Sequence, residues 1–90
     1  MSLDLNLSVT LEQLAEATFI SLQLQTSSLY RVGLMDYEMA TGDRETAPLD
    51  VRKKVMTSAY KTVIDRLPDG SPFAAPLLKI RDSELAKMTE

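Results

Sequence analysis

The chain has no cysteine and no histidine among its 90 residues. The first absence excludes disulfides, and together they exclude ordinary zinc ligation. No imidazole is present to act as a general base and no thiol as a nucleophile, so neither a Ser–His–Asp nor a Cys–His site can be built. Glycine is also sparse. Gly33, Gly42 and Gly70 stand alone, and a phosphate-cradling loop or dinucleotide fingerprint needs glycines in a cluster. Long apolar runs are missing: none approaches the about 18 residues of a membrane helix. The first eight residues, MSLDLNLS, lack a basic region and an apolar core, so a cytoplasmic location is the default expectation.

What remains is ordinary for one small globular domain, with 44% apolar and 26% charged residues. A chain of this size buries only about 60–65% of its unfolded surface. With neither disulfide nor soft metal available, its stability has to come from close packing or from a partner subunit. The net charge of −3 is unevenly spread. Residues 1–50 carry eight acids against Arg31 and Arg44, a balance of −6. Residues 51–90 carry eight bases against five acids, a balance of +3. Such a split suits pairing between the two halves, or between neighbouring subunits, as readily as two solvated faces.

Periodicity predicts a mainly α fold. Leu3, Leu5, Leu7 and Val9 alternate with polar residues, the pattern of a short strand or extended arm. Thr10 and Gln13 then fit a capping box, and Val9 and Leu14 a hydrophobic staple. A helix therefore starts near Leu11. Leu11, Ala15, Thr18, Leu22, Gln25, Leu29 and Val32 fall on one stripe of it, and Ala17, Ile20, Leu24 and Met35 on a second face. Nothing stops this helix before Thr41-Gly42-Asp43. Gly33 marks a bend, a close crossing or a tolerated surface glycine. The competing reading makes strands of Ile20–Leu24 and Tyr30–Leu34, giving an α+β fold with a small antiparallel sheet.

A second helix is expected from about Pro48 to Leu67, antiparallel to the first, with Val55, Met56, Ala59, Tyr60, Val63, Ile64 and Leu67 as its apolar stripe. Pro68-Asp69-Gly70 ends it. Ser71-Pro72 reads as the start of a short helix that Pro76 breaks or kinks. Leu77–Ile80 is then a strand or a helical turn, and a last short helix runs from Asp82 or Ser83 through Met88.

The most informative stretch carries no charge at all. Residues 17–30, ATFISLQLQTSSLY, mix apolar residues with Gln, Ser and Thr, whereas a solvated helix face normally carries Lys and Glu. This points to burial on more than one side, by a second copy or another protein. Leu22, Leu24, Leu29, Tyr30 and Tyr37 are the candidate interface, with Leu22 and Leu29 expected to be buried. Tyr30 and Tyr37 are seven apart on one face, and tyrosine is enriched at interfaces.

Arg52-Lys53-Lys54 is the strongest basic cluster, a candidate contact for an anion or an acidic partner. Extended by Lys61, it is also what a small nucleic-acid-binding regulator would use. The acidic balance of the chain and the position of these cations near a positive helix end argue against that alternative. Asp36, Glu38 and Asp43 fail as a calcium loop, because Ala40 and Thr41 stand where a ligand and a glycine are required. A catalytic reading would have to use carboxylates such as Asp36 and Glu38 with Tyr37, and nothing in their spacing selects a reaction. No cofactor and no metal are expected. The expectation is a non-catalytic interaction or assembly subunit.

Overall fold

The computed structural model describes residues 10–42 and 47–89. Among these residues three α-helices make up the fold: α1 (Leu11–Thr41), α2 (Leu49–Asp65) and α3 (Ala74–Lys87). No strand occurs among the described residues, so Ile20–Leu24 and Tyr30–Leu34 are helical and the sheet alternative falls. The expected arm at Leu3–Val9 lies outside the described residues.

The start of α1 follows from its cap. Thr10 is extended, its Oγ1 accepts from the Gln13 N–H at 3.1 Å, and its own N–H donates to Gln13 Oε1 at 2.9 Å. Two of the orphan donors at the helix start are thereby satisfied reciprocally. At the other end Gly42 takes φ 70°, a left-handed conformation that glycine adopts without steric cost and that terminates the helix.

α1 and α2 run antiparallel. Position 33 of α1 lies against Val55, whereas Phe19, two turns from the start of α1, stacks on Phe73 beyond the end of α2 at 6.1 Å between ring centroids. α3 then returns along α2, so that the Arg52 guanidinium donates to the Thr89 carbonyl at 3.3 Å. Leu22, Tyr60, Val63 and Leu77 form the buried centre, with Phe19, Leu29, Met56, Ile64, Leu67, Phe73 and Ile80 packed around it. The stripe expected on α2 is therefore the face that packs.

The face expected on α1 is rotated. Leu22 is buried and Leu29 half-buried, but Leu11, Ala15, Thr18, Gln25 and Val32 are exposed. The buried side runs instead through Phe19, Leu22, Thr26, Leu29 and Gly33. Two causes are visible. Phe19 draws its side of α1 onto Phe73, and residues 11–18 are exposed all round, an overhang that no described element covers. Thr26, only 2% exposed, is tolerated there because its hydroxyl donates to the Leu22 carbonyl at 2.8 Å.

The C-terminal region also differs from expectation. Neither a break at Pro76 nor a separate helix from Asp82 or Ser83 occurs, because α3 is continuous. Pro76 is its third residue, where an N–H would have no intrahelical partner, so the missing donor costs nothing. Ser71 does act at the start, but its Oγ accepts from the Phe73 N–H at 3.2 Å within the turn that precedes the helix.

Candidate functional site

Three surface features follow from this packing. The first is the outward face of α1. At about 100° per residue, the helix turns one side to α2 and leaves the opposite side without cover from any other described element. On that opposite side Leu14, Ala17, Ser21, Leu24, Ser28, Val32, Met35 and Met39 recur every three or four residues. Leu24 is 64% exposed, Met35 52% and Met39 79%. The five charged residues of α1 (Glu12, Glu16, Arg31, Asp36 and Glu38) all fall outside this strip, with Arg31 at its edge. No helix among the described residues is long and apolar enough to cross a membrane.

The second feature is a groove of about 600 Å³ at the junction of all three helices. α3 has 14 residues against the 31 of α1, so it cannot cover the whole inner side of the longer helix. α1 forms one wall with Gln23, Ser27, Tyr30, Arg31 and Leu34, and α3 the other with Ile80 and Glu84. Met56 and Tyr60 of α2 form the floor, beside Thr26. The Tyr60 ring belongs to the core, and its phenol is held above its ordinary value of 10.0, first by burial and then by the negative charge of Glu84. Lys87 Nζ stands 3.7 Å from Glu84 Oε1, on the solvent side.

The third feature is the lysine face of α2. Lys53, Lys54 and Lys61 are exposed and share a shallow groove with Thr57, Ser58 and Leu85. Arg52 does not join them. Its Nε donates to the Ala47 carbonyl at 3.0 Å and its Nη2 to Thr89, so the guanidinium fastens the chain ahead of α2 to the end of α3. Lys61 holds Asp65 at 2.7 Å, which raises its pKa through the hydrogen bond and the adjacent charge.

The candidate interface residues thus separate. Leu22 lies in the chain's own core and Leu29 packs against it. Leu24 is open on the outward face, Tyr30 lines the groove, and Tyr37 is half-buried on the inner side of α1. Asp36 is exposed and Glu38 half-buried. Sequence reasoning placed Ala17, Ile20, Leu24 and Met35 on a second face, and that grouping was the signal for the outward strip. It missed the groove, because Met56, Tyr60, Ile80 and Glu84 come from two other helices and meet only through tertiary packing. No family model matches the chain, and no curated protein or solved structure matches it either.

Proposed function

We propose that the chain is a non-catalytic assembly subunit that pairs with a second copy of itself through the outward face of α1. The observation that carries this reading is the uncharged, apolar strip from Leu14 to Met39, exposed along the length of the helix. Monomeric proteins rarely expose a contiguous apolar strip, and where they do it usually marks a contact surface. Single exposed leucines would need no such account.

A second copy fits this strip on its own pattern. Thr26 is the middle residue of α1. Two α1 helices laid antiparallel about that level bring Leu24 opposite Ser28, Met35 opposite Ala17 and Val32 opposite Ile20. In the first two pairs a large side chain meets a small one, as interdigitating helices require, and in the third two β-branched side chains meet. A two-fold contact has to be self-complementary in this way; the same register sets Arg31, at the edge of the strip, opposite Ser21 and Glu38 opposite Leu14, so charge enters only at the margin of the seam.

Sedimentation equilibrium tests the reading. The intact protein is expected to dimerise at micromolar concentration, and Leu24→Glu or Met35→Glu to yield a monomer whose helicity and melting temperature match those of a folded chain. A carboxylate held in an apolar contact costs several kcal/mol, enough to abolish a modest dimer. A strictly monomeric intact protein at high micromolar concentration would overturn the reading.

The second reading, a small nucleic-acid-binding regulator, draws on the convergence of Lys53, Lys54 and Lys61 with Thr57 and Ser58 on one face. It makes a separate demand. Retention on immobilised DNA should fall steeply with salt if several phosphates are contacted, and an absence of retention at about 50 mM salt would remove it.

A further inference from the structure

The groove between the three helices lies on a different side of α1 from the strip assigned to self-pairing. Its α1 wall runs from Gln23 to Leu34, three turns and about 17 Å at 1.5 Å per residue. That shape suits a rod more than a small compact ligand. The floor and lower walls are apolar, through Leu34, Met56 and Ile80, and the two rims carry opposite charges. Arg31 stands on the α1 rim with no ion pair to any described residue. Glu84 stands on the α3 rim, with only the exposed 3.7 Å contact to Lys87.

We propose that this groove is a docking site for an amphipathic helix of a partner protein, three to four turns long, carrying an acid along one edge and a base along the other. Such a helix completes a four-helix arrangement that the shortness of α3 leaves unfinished. Its apolar face, at i, i+3, i+4 and i+7, covers Leu34, Met56 and Ile80. Its acidic edge meets the Arg31 guanidinium and its basic edge the Glu84 carboxylate. The hydroxyls of Tyr30 and Tyr60 provide hydrogen bonds at the interface between apolar floor and polar rim. Opposite rim charges set the direction in which the helix lies, because reversing it would bring like charges together.

The test uses the full-length protein and a capped 14-residue helical peptide with leucines at that spacing, glutamates along one edge and lysines along the other. Calorimetric titration is expected to give a Kd of roughly 10–100 μM, with NMR shift changes at Tyr30, Met56 and Ile80 and none at Leu24 or Met35. Arg31→Glu and Glu84→Lys each place two like charges on the rims, and each is expected to weaken binding about tenfold. The double variant restores opposite rims, with the peptide lying the other way, and is expected to recover the intact affinity. Both rim residues are solvent-accessible, so these variants keep the fold. No binding at millimolar peptide overturns the proposal, as does binding that is indifferent to the rim charges. Binding that appears only after residues 2–9 are deleted would assign the groove to the chain's own N-terminal segment and likewise overturn it.

Discussion

A methyl group added at position 33 would sit 2.5 Å from Val55 Cγ1. Gly33 is therefore the close crossing point of α1 and α2, and the surface reading of that glycine falls away. Two effects oppose each other in Gly33→Ala. The substitution gains about 1 kcal/mol of helix propensity, and the overpacking costs about 1–3 kcal/mol, since a β-branched valine has little rotamer freedom with which to yield. Net destabilisation of about 1 kcal/mol is expected in urea denaturation. In the Val55→Ala background the clash is gone, so the same substitution should be neutral or stabilising. Equal effects in the two backgrounds would refute the close crossing.

Tyr60 gives a pH prediction with a definite sign. Its folded pKa lies above the ordinary value, by burial and by Glu84. The unfolded chain therefore releases this proton first, and the folded state binds more protons between the two values. The associated stability is intact below about pH 10 and is lost as pH rises through the folded value. Tyr60→Phe removes this contribution while keeping the ring in the core. Stability measured at pH 8 and pH 11 should fall less in the variant than in the intact protein.

At the scale of the helix, the first two turns of α1 are held differently from the rest. Their cap is complete, but residues 11–18 have no tertiary cover. Removing the cap by Thr10→Ala costs about 1 kcal/mol of helix stability. In an uncovered segment that cost is met by local fraying. The expected result is faster amide exchange over residues 11–18 with the global unfolding midpoint unchanged. A shift of the midpoint by the full amount would mean that these turns are coupled to the core.

The same scale explains what could be read in advance. Local chemistry set the ends of α1, since Thr10 with Gln13 and Gly42 act within a few residues of themselves. The apolar stripe of α2 was legible because seven residues at helical spacing agree. The orientation of α1 was not, because its uncharged middle offers two apolar faces, and contacts with residues distant in sequence, among them Phe73 more than fifty residues away, decide between them. Pro76 misled for a related reason. Its effect depends on whether it falls in the first turn or the interior, and the start of α3 is fixed by the turn at Ser71. The groove was illegible altogether, since three helices contribute to it.

At the scale of the molecule, α1 is about as long as α2 and α3 placed end to end, with 31 residues against 17 and 14. The fold extends 54 × 27 × 22 Å with a radius of gyration of 16.7 Å, where a compact chain of this length would have about 12 Å. The excess has a hydrodynamic consequence. An elongated particle suffers more friction than a sphere of equal mass, so a monomer will elute from a gel-filtration column ahead of its true mass. Calibrated against round standards, one copy of this chain will resemble a larger species. Antiparallel pairing along α1 adds a second body beside the long axis rather than at its end, so the dimer is the rounder particle of the two. The elution shift on pairing is then smaller than a doubling of mass suggests, while the frictional ratio falls. Sedimentation velocity, which reports mass and friction together, is expected to find the dimer less asymmetric than the monomer. A frictional ratio that rises on association would mean that the copies meet end to end.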